Sequence, residues 1–243
     1  GIKVRAIYDT EETKSTGLAN RLIAEKDNPR ADVFWSGEPV RPVLLKIKGL
    51  TIPYVSSAAA DISTIYKDTE GHWTGFSARA RIILYNSSLV SMDERPLSIL
   101  DLAKSKWRDQ VAIANPLFGT TSVHMAALFI ILGDEKARKF MNDLKANGVK
   151  IVSSNSEVRR LVARGEVKLG ITDTDDANVA VREGSAVKIV YPDESGMGTL
   201  IMPNMVCLMK NSPNQENGKK LIDYLVSSEV EKSLAFAMCA QMP

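Results

Sequence analysis

Short β-branched runs alternate with helical patterns along the whole chain. This alternation is typical of βαβ units and predicts an α/β fold with a mostly parallel sheet. The first block predicts strands at 2–8, 32–35 and 77–85, a helix that ends near 26, and a helix at 39–48. The second block predicts helices at 96–105, 121–132, 134–147 and 155–164, and strands at 110–114, 149–152, 167–172, 187–190 and 202–209.

Two capping patterns mark helices near the end of the chain. Ser212 is followed by Pro213 and, three residues after the cap, by Gln215. Ser228 with Glu231 repeats the spacing of a capping box. We therefore expect one helix to begin at Pro213 and another directly after Ser228.

Composition and charge exclude two classes of function. The 31 basic and 29 acidic residues give a net charge of +2, and no long basic cluster offers a nucleic-acid footprint. The longest apolar stretches, such as 125–132, are far shorter than the ~20 residues that cross a bilayer. We therefore expect no nucleic-acid partner and no direct membrane insertion.

Motifs of common enzymes and cofactor sites are absent from the sequence. It has no G-x-S-x-G elbow, P-loop or dinucleotide glycine pattern. The two histidines, His72 and His124, lie at no metal-ligand spacing from each other or from a cysteine. With two cysteines, Cys207 and Cys239, no dense disulfide framework is expected, and their redox state stays open. We predict no catalytic residue and no cofactor.

Two segments of the sequence suit an anionic ligand. Thr120, Thr121 and Ser122 precede an apolar helix, and the N–H groups at a helix start attract anions, although ordinary capping is the alternative. Arg79 and Arg81 share one face of a strand, because side chains alternate across it. Their guanidinium forks suit a phosphate, phosphonate or carboxylate, and surface ion pairing is the alternative.

The two blocks each carry polar residues where a strand ends, the usual place for ligands in α/β sheets. In the first block these residues are Trp35, Ser36 and Glu38, and Trp35 has a core position as its alternative. In the second block they are Asp173, Asp175 and Asp176, for which capping of the following helix is the alternative.

Five segments in order along the chain carry a family resemblance, and they are 31–36, 75–81, 115–122, 170–177 and 212–225. Together they resemble the ferric-type branch of periplasmic solute-binding proteins of ABC transporters. The resemblance implies a type-2 periplasmic binding protein fold, with two α/β lobes joined by crossing hinge strands and a ligand in the cleft between them. It also implies a discontinuous, incomplete first lobe, 1–82 plus 205–243, and a second lobe, 83–204.

The chain departs from this family pattern in two respects. Ferric-binding members place adjacent tyrosines where this chain has Asp175 and Asp176, so the tyrosinate argument for Fe(III) does not carry over. Carboxylates, with Glu38, still suit a hard cation. Family members also begin earlier and continue further, which makes the chain resemble a member truncated at both ends.

The function expected from the resemblance is capture of a small anionic or oxyanion-bearing solute, with or without a cation. A periplasmic or extracellular binding protein of this kind hands its solute to the membrane permease of an ABC transporter. The alternatives are a metal-ion binding protein that uses carboxylates, and an enzyme or sensor domain on the same scaffold, because fold does not fix function.

Overall fold

The structure, a computed structural model, describes residues 1–10, 13–238 and 240–242. The chain divides into two compact units. The first unit comprises Gly1–Ala78, Met202–Ala237 and Gln241–Pro243, and the second comprises Arg79–Ile201 and Met238–Ala240. The hinge positions implied by the resemblance stay a prediction.

The first unit packs helices on an antiparallel sheet. Strands β1 (Val33–Ser36) and β2 (Thr51–Ile52) both pair antiparallel with β8 (Ile201–Met209). Val33 lies opposite Leu208, and Thr51 lies opposite Met209. Its elements are α1 (Thr16–Ala24), β1 (Val33–Ser36), α2 (Val40–Ile47), β2 (Thr51–Ile52), the first part of β3 (Thr74–Asn86), β8 (Ile201–Met209), α7 (Gln215–Leu225) and α8 (Ser228–Phe236). One core cluster contains Phe34, Leu45 and Cys207, and another contains Phe76, Val206 and Ile222.

The second unit has a mixed sheet. Strand β4 (Val111–Ala114) pairs parallel with β5 (Lys150–Val152) and β6 (Leu169–Asp173). Strand β3 pairs antiparallel with β6 and with β7 (Val187–Val190). All four residues of β4 are buried, as a strand covered on both faces requires. The other elements are β4 (Val111–Ala114), α3 (Gly119–Leu132), α4 (Asp134–Ala146), β5 (Lys150–Val152), α5 (Asn155–Ala163), β6 (Leu169–Asp173), α6 (Thr174–Arg182) and β7 (Val187–Val190).

The prediction of a mostly parallel sheet is wrong. Only the neighbours of β4 are parallel among the strand pairs just described, because the long strands β3 and β8 run against their partners. Alternation of strands and helices predicted the number of elements well, but strand direction depends on which strands become neighbours. No helix in the described part of the chain is long and apolar enough to cross a membrane.

The strand predicted at 2–8 is not formed. Residues 1–10 contain neither a helix nor a strand, and Val4, Ile7 and Tyr8 are exposed. Alternating side chains suit a strand, but a strand also needs a neighbour that accepts and donates backbone hydrogen bonds. None of the described strands pairs with this segment.

Two helix predictions also need correction, those at 96–105 and at Pro213. The helix expected at 96–105 is instead two short 3₁₀ helices, Ile99–Ala103 and Ser105–Trp107, separated by the extended residue Lys104. Helix α7 begins at Gln215 and not at Pro213, and its preceding backbone N–H, that of Asn214, donates to Asp32 Oδ1 at 2.7 Å.

The predicted capping box of α8 is wrong by one residue. Ser227, and not Ser228, is the N-cap, and its hydroxyl oxygen accepts from the Val230 N–H. The carboxylate of Glu231 does not fold back on the helix but accepts from the backbone N–H of Ser77 in β3 at 2.9 Å. The local spacing therefore matched a capping box whose acidic member has a long-range partner.

Candidate functional site

A fully buried arginine lies at the centre of the polar residues of the second unit. Arg81 in β3 has a relative exposure of 0%, and it lies opposite Asp173 in the pairing of β3 with β6. Its Nη1 donates to Asp173 Oδ1 at 2.7 Å and to Thr120 Oγ1 at 3.1 Å, and its Nη2 donates to Thr121 Oγ1 at 3.2 Å. Its Nε donates to His124 Nδ1 at 3.4 Å. Every nitrogen of the guanidinium is therefore engaged within the protein.

Asn155, the first residue of α5, joins the same network from another side. Its Nδ2 donates to Thr120 Oγ1 at 2.9 Å and to Asp173 Oδ2 at 2.8 Å. The Thr120 hydroxyl in turn donates to Asp173 Oδ2 at 2.7 Å. These contacts connect β3, β6 and the first turns of α3 and α5. We call Arg81, Thr120, Thr121, His124, Asn155 and Asp173 the buried arginine network.

The charges of this network are balanced internally. Burial by itself would raise the pKa of Asp173, but the positive charges of Arg81 and Arg79 outweigh it and lower that pKa. Burial, with the nearby Arg81 cation, lowers the pKa of His124 to about 3. His124 is therefore neutral, and because its Nδ1 accepts from Arg81, its proton lies on Nε2.

The hydroxyl groups at the start of α3 are committed to partners inside the unit. The Thr121 hydroxyl donates to Asn155 Oδ1 at 3.4 Å, and the Ser122 hydroxyl donates to the carbonyl of Gly119 at 2.8 Å. No side chain caps α3, whose N-cap residue is Phe118. Because the first N–H groups of a helix have no intrahelical acceptor, the amides here are better placed than the hydroxyls to meet a ligand.

Arg79 and the other two aspartates lie at the junction of β6 and α6. Arg79 Nη1 is 3.3 Å from Asp175 Oδ2, and both side chains are largely buried. Asp176 Oδ1 accepts from the Ser156 hydroxyl at 2.9 Å. Asp173 does not cap α6 with its side chain, so the capping alternative fails for that residue. Surface ion pairing, the alternative for both arginines, is replaced by buried pairing.

The first unit carries a separate polar cluster where β1 ends. Trp35 is 43% exposed, so its core alternative is wrong, and its ring centroid lies 5.2 Å from that of Phe76. Ser36 is fully buried, with its Oγ 2.7 Å from the carbonyl of Glu38 and 3.2 Å from Ser15 Oγ. The end of β1 therefore carries one exposed indole and one buried hydroxyl group.

Glu38 caps the helix that follows it. Its Oε2 accepts from the Val40 N–H at 2.7 Å and its Oε1 accepts from the Arg41 N–H at 3.2 Å. The carboxylate is buried, and this burial raises its pKa against the lowering effect of those hydrogen bonds and of the Arg41 charge. Capping of α2 therefore supplies a structural reason for a carboxylate at this position.

The sequence of the chain matches a known protein family. Residues 28–243 match the model of the family described as bacterial extracellular solute-binding protein. The chain belongs to this family.

Relatives of this solute-binding protein include two that are named for different solutes. Iron uptake protein A1 of Synechocystis sp. is 28% identical over 97% of this chain and 67% of its own length. A putative 2-aminoethylphosphonate-binding periplasmic protein of Salmonella typhi is 26% identical over 90% of this chain and 68% of its own length. The chain thus spans about two thirds of the length of these relatives.

Solved structures confirm the predicted type-2 periplasmic binding protein fold. The ferric binding protein from Campylobacter jejuni superposes with a TM-score of 0.86 at 23% identity, covering 95% of this chain and 76% of that one. Iron-bound HitA from Pseudomonas aeruginosa superposes with a TM-score of 0.85 at 22% identity, covering 92% of this chain and 73% of that one. At these identities the likeness concerns the fold alone.

The sequence analysis missed two polar residues of the two clusters. They are Asn155, in the buried arginine network, and Arg41, beside Glu38 in the first turn of α2. Asn155 follows Ser154, whose hydroxyl oxygen caps α5, so nothing in the sequence distinguishes Asn155 from an ordinary helix start. For Arg41 the sequence does contain an indication, which is a basic residue near the start of a predicted helix. It lies in the first turn of α2, where a cation is disfavoured by the helix dipole and acidic residues are preferred. The predicted ligand contacts of the other site residues stay predictions.

Proposed function

We propose that this solute-binding protein captures a small oxyanion-bearing solute of the phosphate, phosphonate or carboxylate type. It would deliver the unmodified solute to the membrane permease of an ABC importer, from the periplasm or the cell exterior. The observation that carries the proposal is the start of α3, a helix without a side-chain cap whose first turn is anchored by Arg81, Asn155 and Asp173.

The physical argument rests on preorganisation. Helix-start amides bind anions through their N–H groups and the helix dipole. The buried arginine network holds Thr120 and Thr121 in place through several hydrogen bonds, so the amides of this turn need little reorganisation when a ligand binds. Because Arg81 and Asp173 neutralise each other, the network supports the turn without drawing the solute to itself.

The nature of the relatives supports a phosphorus oxyanion as the first class to test. One relative is named for 2-aminoethylphosphonate, which combines an oxyanion with an ammonium group. Asp175, in the first turn of α6, already pairs with a cationic group, the guanidinium of Arg79. 2-Aminoethylphosphonate is therefore included among the solutes to test.

A metal cation is the second candidate, and one observation favours it. Asp173, Asp175 and Asp176 each offer one carboxylate oxygen within 4.8 Å of the others. However, both Asp173 oxygens already accept hydrogen bonds, and Arg79 lies 3.3 Å from Asp175. A cation at this place would compete with two guanidinium groups, so this candidate stands second.

The decisive experiment is direct identification of the solute. Ligand released from freshly purified protein is identified by mass spectrometry, and ligand-free protein is titrated calorimetrically with phosphate, methylphosphonate, 2-aminoethylphosphonate and ferric citrate. We expect one of the three phosphorus oxyanions to bind and to be recovered unchanged. Binding of ferric ion alone would favour the second candidate, and recovery of a modified product would indicate an enzyme.

A substitution at the N-cap tests the helix start itself. Phe118→Asp introduces a carboxylate that can accept from the amides of the first turn, so it should cap α3 and repel an oxyanion. We expect at least about tenfold weaker binding, which is about 1.4 kcal/mol. Phe118→Ala is the matched control, because it shortens the same side chain without adding an acceptor. Equal affinity in both variants would remove the helix start from the site.

A further inference from the structure

Arg41 is held along one edge of its guanidinium. Its Nε and Nη2 both donate to Thr16 Oγ1, at 3.3 and 2.9 Å. A guanidinium has five N–H bonds in a rigid fork, and this contact uses the edge formed by Nε and Nη2. The edge formed by Nη1 and Nη2, with parallel N–H bonds suited to two oxygens of one oxyanion, has no hydrogen-bond acceptor among the residues that the structure describes.

The nearest carboxylate in the sequence, that of Glu38, interacts electrostatically with Arg41 but forms no hydrogen bond with its guanidinium. Both oxygens of Glu38 accept from the backbone N–H groups of Val40 and Arg41, and the structure shows no ion pair between the Arg41 side chain and a described carboxylate. The charge also lies in the first turn of α2, where it opposes the helix dipole. The Nη1 and Nη2 edge of Arg41 therefore has no hydrogen-bonded carboxylate partner among the described residues.

The two arginines of the β3 strand contrast with Arg41 in this respect. Arg81 is fully buried and bonded to Asp173, and Arg79 is paired with Asp175. Arg41 is half-buried, and the hydroxyl that holds it belongs to the residue after Ser15, whose Oγ lies 3.2 Å from Ser36 Oγ. Its guanidinium is therefore oriented by a neutral group, the hydroxyl of Thr16 at the start of α1.

We propose that the Nη1 and Nη2 edge of Arg41 is an oxyanion-binding site of the first unit, with Thr16 as the residue that orients it. This inference rests on the proposed function for the chemical class of the solute. It replaces the expectation that Arg79 or Arg81 makes the charged contact. The chemical class recognised is a group with two oxygens that can accept in parallel, such as a phosphonate, phosphate or carboxylate.

The test compares three arginine variants with wild type by calorimetry. The probe is whichever of phosphate, methylphosphonate and 2-aminoethylphosphonate binds wild type most tightly. Arg41→Gln should weaken binding at least about tenfold, because it removes charge-assisted hydrogen bonds. Arg41→Lys should recover only part of this loss, since an ammonium lacks the fork. Arg30→Gln, at an exposed arginine of the same unit, removes the same charge and should change affinity less than about twofold.

A variant of the orienting residue makes the test specific. Thr16→Val keeps the shape and removes the hydroxyl that holds Arg41, so it should weaken binding less than Arg41→Gln does, and the two losses should not add. Wild-type affinity in Arg41→Gln overturns the inference and leaves the proposed function intact. Failure of wild type to bind any of the three probes overturns both. Circular dichroism spectra of the variants show whether each one is folded.

Discussion

Arg81 Nη1 and Asp173 Oδ1 lie 2.7 Å apart, and both side chains are buried. The pair fills the position at which an anion contact was expected from the sequence. Arg81→Met should therefore act mainly on stability, because it removes the hydrogen-bonded cation that pairs with the buried Asp173 charge. We expect a loss of about 3–5 kcal/mol in the free energy of unfolding, measured by urea denaturation. Arg108→Met, at an exposed arginine of the same unit, should stay within about 0.5 kcal/mol.

The double variant separates a charge effect from a packing effect. Arg81→Met with Asp173→Leu removes both charges, so it should be more stable than Arg81→Met alone. A double variant that loses the sum of the two single losses would show that the two side chains do not interact.

Glu38 should contribute to the stability of α2 through its carboxylate. Glu38→Ala removes the acceptors of the Val40 and Arg41 N–H groups, and the expected loss is about 0.5–2 kcal/mol in the free energy of unfolding. Glu38→Gln keeps one oxygen acceptor and should lose less. Asp61→Ala, at an exposed carboxylate of the first unit, is the control. Equal stability of Glu38→Ala and wild type would contradict the capping role.

His124 should make the protein acid-sensitive. Burial and the charge of Arg81 lower its pKa from 6.5 to about 3, so the unfolded state binds more protons between these values. The contribution is fully present above pH 6.5 and is lost as the pH falls toward 3, with a slope of up to about 1.4 kcal/mol per pH unit.

An asparagine variant isolates this effect. His124→Asn offers an oxygen where Nδ1 accepts from Arg81, and it cannot titrate, so its unfolding free energy should depend less on pH in this range. His72→Asn is the matched control and should keep the wild-type slope. Parallel slopes for His124→Asn and wild type would assign the acid sensitivity to other groups.

Trp35 should report solute binding by its fluorescence. Its indole is 43% exposed at the end of β1, whereas Trp107 is buried and Trp73 is half-buried, so Trp35 is the best placed of the three tryptophans to change environment when a solute binds. We expect the emission of wild type to change on titration with the bound solute and the change to disappear in Trp35→Phe. A change that persists in that variant would exclude Trp35 as the reporter.

Ferric ion should give no phenolate complex. The resemblance to the ferric-type branch implies adjacent tyrosines at the positions where this chain has Asp175 and Asp176. Titration with ferric citrate should therefore produce no visible charge-transfer band. A strongly coloured complex would contradict this expectation, and substitution of each tyrosine in turn would then identify the ligand.

The sequence could predict those features that depend on local pattern. The helices and strands of both units were largely anticipated, because side-chain period and turn residues follow from neighbours in the chain. The segment 2–8 shows the limit of this logic. Its alternation is that of a strand, but the described strands offer it no pairing, so it stays outside the sheets.

By itself, the sequence determined the type of fold and the strand ends at which polar residues collect. Only the tertiary structure decided which partner each polar group takes. Arg81 and Asp173 are 92 residues apart, and the register between β3 and β6 is what makes them neighbours. Glu38 caps α2 instead of facing a ligand, and Arg41 is held by Thr16 across 25 residues. A hydrogen bond acts only over a few ångströms, so its partner is set by how distant segments pack.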